Sequence, residues 1–98
     1  MTVEKITEGA KTTLKVAGRL DTSTAPEFET SIDQVIPGTE ELVLDFEGLE
    51  YISSAGLRVI LKAQKLMNAQ GNMKLVNVND SIMEVFDITG FIDILTIE

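Results

Sequence analysis

The sequence contains no cysteine, no histidine and no tryptophan, and each absence removes a class of chemistry. Without cysteine there is no disulfide, no thiolate nucleophile and no cysteine-ligated metal, while the redox compartment stays open. Without histidine, the usual general base and the commonest transition-metal ligand are missing. A Ser-His-Asp hydrolase or an imidazole-bound zinc site is therefore excluded within this chain. Positive charge is also scarce: 8 Lys and Arg stand against 16 Asp and Glu, a formal net charge of −8. That balance opposes nucleic acid and anionic membranes, which both attract clustered cations, and favours a protein partner. No apolar run approaches the length needed to cross a bilayer. The start, Met1-Thr2-Val3-Glu4-Lys5, lacks the basic and then apolar regions of a signal peptide, so a cytoplasmic location is expected.

The 98 residues, 44% apolar and 24% charged, suit one globular domain spanning residues 1–98. A chain of this size buries only roughly two-thirds of its unfolded surface, enough for one core. Val3 to Ile6 and Lys11 to Ala17 read as two strands joined by a turn at Glu8-Gly9-Ala10. Thr24 with Glu27 has capping-box spacing and Pro26 fits a first helical turn. Ala25, Phe28, Ile32, Val35 and Ile36 then form one apolar face, ended by Pro37-Gly38. The run Leu42-Val43-Leu44 within Glu41 to Phe46 is expected of a strand covered on both faces, with Glu47 to Glu50 as a short connection.

From Tyr51 to Leu61 the sequence reads Tyr-Ile-Ser-Ser-Ala-Gly-Leu-Arg-Val-Ile-Leu and leads into a helix from about Ser54 to Ala69. Leu57, Ile60, Leu61, Ala63, Leu66 and Met67 supply its buried face and Arg58, Lys62 and Lys65 the opposite one, with Gly71 expected as its C-terminal cap. Met73 to Val78 reads as a strand. Asn79-Asp80-Ser81 starts a last helix, with Ser81 and Glu84 at capping-box spacing and Gly90 at its end, and Phe91 to Ile97 is a candidate final edge segment. Met67, Met73 and Met83 fall at core spacing. The expected class is α/β: a mixed sheet of four to five strands with three main helices.

Ser53 and Ser54 stand where the long helix must begin. A helix start carries unpaired N–H groups and the positive end of the dipole, so a hydroxyl, carboxylate or phosphate is electrostatically favoured there. On spacing alone either serine is a helix cap or a phosphoacceptor. Ser54, Arg58, Lys62 and Lys65 follow one helical stripe, which either holds a phosphate near Arg58 or is simply a solvated face.

The element order and this central stretch resemble the STAS domain, in particular the stand-alone anti-sigma factor antagonists of bacterial partner-switching systems, over essentially the whole chain. The family's early Gly-x-Leu-Asp is matched by Gly18, Leu20 and Asp21, its switch motif by Ser53, Ser54, Ala55, Gly56 and Leu57, and its later Phe and Gly-aromatic features by Phe86, Gly90 and Phe91. The resemblance implies a STAS-like fold and a cycle. The unphosphorylated protein binds an anti-sigma factor that is also a serine kinase and so frees the sigma factor. Phosphorylation at Ser54 ends the interaction, and a serine phosphatase resets it. It also implies partner contact at Asp21, Ser53, Ala55, Gly56, Leu57 and Arg58, no enzymatic activity, no cofactor and no metal. An acidic domain with charged helix faces suits a monomer.

One position departs from the family pattern: the Asp before the phosphoacceptor is Ser53 here, which leaves Ser53 as a competing acceptor. Two other readings stand beside this one, the first sustained by that departure. One is a STAS scaffold that is not phosphorylated or that regulates a target other than a sigma factor. The other is an enzyme or small-ligand carrier using the helix start at Ser53, Ser54 and Gly56, against which the missing histidine and missing Gly-rich phosphate loop both count.

Overall fold

A computed structural model describes residues 1–98. Strands β1 (Thr2–Glu8) and β2 (Lys11–Leu20) form a hairpin, followed by α1 (Ala25–Val35), β3 (Glu41–Ile52), α2 (Ser54–Asn68), β4 (Asn72–Val76) and α3 (Asp80–Thr89), then a single 3-10 turn at Phe91–Asp93. The sheet order is β1-β2-β3-β4, with β1 antiparallel to β2 and the other pairs parallel. The expected last edge segment is reduced to one parallel pairing, Leu75 with Ile97, held by Leu75 N–H to the Thr96 carbonyl and Glu98 N–H to the Leu75 carbonyl, both at 2.9 Å. The sheet is thus the expected mixed α/β arrangement.

Alternation along the strands sends Leu14, Val16, Leu42, Leu44, Phe46, Met73 and Leu75 to one apolar core. Phe28 and Ile32 of α1, Ile60, Ala63 and Met67 of α2, and Ile82 and Phe86 of α3 fill it from the helices. The alternate residues of the strands carry opposite charges side by side in register: Glu4 beside Lys15, Glu8 beside Lys11, Lys11 beside Glu41 and Lys15 beside Asp45.

Strand β3 is longer than its apolar run. Glu47 to Glu50 is not a loop but stays paired with β2, through register shifts between Lys15 and Ala17 and between Gly18 and Arg19. Because β2 also runs on to Leu20, the ladder has a partner to continue with, and the irregularities absorb the unequal residue counts. At the other edge β4 stops at Val76 rather than Val78, where Asn77 turns into the left-handed region (φ 57°) and its amide donates to Asp45 Oδ1 at 3.0 Å.

Several helix ends use groups other than the expected ones. Neither capping box forms. Thr24 makes no side-chain cap; its hydroxyl donates to the Arg19 carbonyl (2.8 Å) and accepts from Asp21 N–H (2.9 Å). At α3 it is Asn79 Oδ1 that accepts from Ile82 N–H at 2.9 Å, since the helix starts one residue before Ser81. Gly90 does end α3, in the left-handed region at φ 79°. Gly71 is not a left-handed cap: α2 ends at Asn68 with Ala69 still right-handed. Gly71 is required because a Cβ there would overlap the Glu40 carbonyl, beside the hydrogen bond from Asn72 N–H to that same oxygen (2.9 Å).

The buried face of α2 is also rotated from expectation. Val59 and Gln64 are buried, whereas Leu61 is half-buried and Leu66 is 38% exposed beside the lysine stripe. Met67 and Met73 are in the core as expected, and Met83 is half-buried.

Candidate functional site

Parallel pairing brings two loops together. Leu20 ends β2 opposite Ile52 at the end of β3, and Ser53 N–H donates to the Leu20 carbonyl at 2.9 Å. The turn Asp21–Thr24 and the start of α2 therefore emerge side by side at the carboxyl ends of adjacent parallel strands, a position where α/β sheets commonly place their sites.

Ser53 has the extended backbone of an N-cap (φ −101°, ψ 174°), and its carbonyl accepts Leu57 N–H at 3.0 Å. Its side chain does not cap. Ser53 Oγ is buried and has no hydrogen-bond partner. Ser54, the first residue of α2, is exposed, and its hydroxyl is engaged by no other group of the chain. The first turn of α2 holds no acidic residue, so the positive end of its dipole faces solvent uncompensated. The two serines are thus told apart by exposure.

The residues after Ser54 fix where it stands. A Cβ on Gly56 would lie 2.6 Å from Leu20 Cγ and 3.0 Å from Ile52 Cγ1, so only glycine lets the helix start pack this close to the sheet. Leu57 is buried, Ala55 half-buried, and Arg58 exposed. Gly56 and Leu57 are thus packed against the sheet and expose little side chain, between the more accessible Ser54 and Arg58.

Asp21 is fully engaged in its own turn. Its Oδ1 accepts from Ser23 N–H (3.0 Å), the Ser23 hydroxyl (2.8 Å) and Thr24 N–H (3.1 Å). Its Oδ2 is 3.8 Å from Arg19 Nε. These bonds, the Ser23 hydroxyl first, hold its carboxyl below the ordinary aspartate range. Asp21 thereby closes the turn that precedes α1, without capping the helix itself, and fixes the loop beside Ser54.

The cationic stripe divides. Lys62 is bound at 2.9 Å to Glu29 and 3.0 Å to Asp33 of α1, and these contacts, Glu29 first, raise its pKa above the ordinary lysine value. Arg58 makes no ion pair. It lines a cleft of about 440 Å³ between α1 and α2, with Thr22, Pro26, Glu29 and Ala55. Near Ser54, Arg58 is thus the cation still available to an incoming anion or carboxylate.

Sequence reasoning missed one pair. The Arg19 guanidinium lies 4.2 Å above the centre of the Tyr51 ring, and both residues are exposed, Tyr51 by 41%. They are register partners on β2 and β3, each two residues before its loop, a signal that becomes readable only once the two strands are known to pair to their ends. No group of three or more His, Cys, Asp or Glu is placed to hold a metal ion. No helix is long and apolar enough to cross a membrane.

Known proteins share this arrangement. The family model for the STAS domain matches residues 2–98. BtrV of Bordetella bronchiseptica, named for anti-sigma factor antagonism, is 39% identical over 82 residues, 82% of this chain and 71% of that protein. The anti-sigma-B factor antagonist of Staphylococcus aureus is 29% identical over 97 residues, 97% of this chain and 90% of the relative. In structure, an anti-sigma factor antagonist from Mycobacterium paratuberculosis superposes with a TM-score of 0.90 at 21% identity, covering 98% of this chain and 83% of that one. SpoIIAA, solved in unphosphorylated and phosphorylated forms, superposes with TM-scores of 0.84 and 0.77 at 18% identity; each match covers 99% of this chain, and 88% and 91% of the two SpoIIAA chains. Element order, the paired loops at Leu20 and Ile52, and a family match over nearly the whole length lead to one conclusion: the chain belongs to the STAS domain family.

Proposed function

We propose that this protein is an anti-sigma factor antagonist of a bacterial partner-switching pathway, with Ser54 as its phosphorylated residue. Unphosphorylated, it binds an anti-sigma factor that is also a serine kinase and so releases the sigma factor. The kinase transfers the γ-phosphoryl group of ATP to Ser54 Oγ: the bond between the γ-phosphorus and the bridging oxygen breaks, ADP leaves, the hydroxyl proton passes to the kinase, and the complex separates. A serine phosphatase hydrolyses the phosphoester and restores the binding form. The reading places the protein in the cytoplasm, as a monomer.

The observation that carries this reading is the exposed, unengaged Ser54 hydroxyl on the first residue of α2. A kinase can reach it without unfolding anything, whereas Ser53 Oγ is closed off. In this reading the chemistry belongs to the partner kinase and phosphatase, and the chain serves as a binding module rather than an enzyme. The surface around it is the Asp21 turn, Ser53, Ala55 and Arg58, with Gly56 and Leu57 beneath. Arg19 and Tyr51 extend that surface and are of the residue types that dominate interfaces.

Phosphorylation adds about −1.5 to −2 charges. At a helix start these charges are accommodated by free N–H groups, and Arg58, one turn on, is within the helical spacing that lets side chains meet. The phosphate thus acts at the surface, through charge and size in the interface. The test is phosphosite mapping by mass spectrometry on protein from its own host. Phosphate on Ser54 is expected, and loss of all modification in Ser54→Ala. Phosphate on Ser53 would transfer the switch to that residue. No modification under several growth conditions would remove the switch and leave a static STAS scaffold.

A further inference from the structure

The other surface that remains unexplained lies at the end of α3. Ile88 is 77% exposed, Ile94 51% and Ile92 39%, in the last turn of that helix and the 3-10 turn packed against it. Phe91, in the same stretch of chain, is half-buried and packs on the core with Val85 and Ile97. Three large apolar side chains left exposed within seven residues of chain are more than the singly scattered ones a surface ordinarily carries. The charge around them has one sign. After Lys74 every charged side chain is acidic: Asp80, Glu84, Asp87, Asp93 and Glu98. Asp87 and Asp93 are exposed next to Ile88, and between Ile92 and Ile94, respectively.

We propose that Ile88, Ile92 and Ile94 form a second docking face, for a protein partner presenting an apolar ridge rimmed by Lys and Arg. The rim decides among occupants. A second copy of this chain, meeting it face to face, would set Asp87 and Asp93 against their own counterparts, and no Lys or Arg follows Lys74 in the sequence to offset them. An anionic lipid surface would be repelled in the same way. A cationic rim on a partner would be attracted, and would settle its apolar residues on the isoleucines.

This face is remote from the switch. The chain rejoins the sheet where Ile97 pairs with Leu75, which is level with Leu44, while Ser54 follows Ile52. From Leu44 to Ile52 a strand advances roughly 26 Å. The two surfaces can therefore be occupied independently, and the proposal does not rest on phosphorylation.

The test uses two synthetic amphipathic helices with the same Leu and Ile ridge, one rimmed by Lys and one by Glu, titrated into the isotopically labelled full chain. Expected amide shifts cluster from Phe86 to Leu95 with the Lys-rimmed peptide, weaken with salt, and are absent with the Glu-rimmed one. Ile88→Ser with Ile94→Ser should weaken that binding by about tenfold or more, while Ser54→Asp leaves it unchanged. Asp87→Lys with Asp93→Lys, which keeps the isoleucines, should reverse the preference between peptides. Shifts centred elsewhere, equal binding of both peptides, or a concentration-dependent dimer abolished by Ile88→Ser would each overturn the proposal.

Discussion

At the scale of single residues, steric room and hydrogen-bond state separate neighbours that look interchangeable in sequence. Ser53 and Ser54 are one example. Ser53→Ala removes a buried hydroxyl with no partner and should be neutral or stabilising, by up to about 1 kcal/mol in urea denaturation. Ser54→Ala should leave stability within about 0.5 kcal/mol, as an exposed position does, while abolishing phosphorylation. Gly56 is another. Alanine would gain about 1 kcal/mol of helix propensity, but its methyl group would press on Leu20 and Ile52, both buried, and such overpacking costs about 1–3 kcal/mol. The expected net is a loss near 1 kcal/mol, a fall in melting temperature of about 4–8 °C.

Asp21 supplies a pH signature. Its carboxyl is held below the ordinary value of 3.8, so the stability it contributes is complete above that value and is lost as pH falls through its lower folded value. The stability gap between wild type and Asp21→Asn should accordingly be flat near neutrality and close only below about pH 3.8.

At the scale of elements, caps and cross-helix contacts decide what periodicity alone leaves open. The strands and helices were legible because apolar spacing of two or about four residues sets which face is buried, and that survives folding. The caps were not. Each helix start has two polar side chains within reach of the same N–H groups, Asp21 and Thr24 before α1 and Asn79 and Ser81 at α3, and the winner depends on where the helix starts to within one residue. Asn79→Ala should therefore cost about 1 kcal/mol, and Ser81→Ala almost nothing, in thermal unfolding of both variants. The length of β3 was hidden for a related reason: Glu47 to Glu50 has no apolar run, and only pairing with β2 holds it extended.

Lys62 shows the same limit on legibility. In sequence it belongs to a solvated stripe with Arg58 and Lys65; in space it joins α2 to Glu29 and Asp33 of α1. Those groups are roughly half exposed, so Lys62→Met should lower stability only slightly. Because the lysine pKa is raised, its contribution is fully present below the ordinary value of 10.5 and disappears as pH rises through the higher folded value. Urea midpoints of wild type and variant should stay apart through neutral pH and converge only above about 10.5.

At the scale of the whole molecule, the fold brings the paired ends of β2 and β3 to one end of the sheet, where the proposed switch residue stands. The family motif made Ser54 the candidate, and the paired ends of β2 and β3 explain why the Asp21 turn stands next to it. Sequence could not reveal that Ser53 Oγ is closed off, because that depends on how Leu20 and Ile52 seat the helix start. A chain already at −8 is not unfolded by one more phosphate at a favourable helix start, but a partner's interface can be disrupted by it. A hundredfold loss of affinity corresponds to about 2.7 kcal/mol, within reach of one misplaced charge. The measurement that bears most directly on this account is calorimetric titration of the partner kinase with the protein in its unphosphorylated and Ser54-phosphorylated forms. The account predicts at least about a hundredfold weaker binding after phosphorylation, with near-identical circular dichroism of the two free forms. Equal affinities would contradict it.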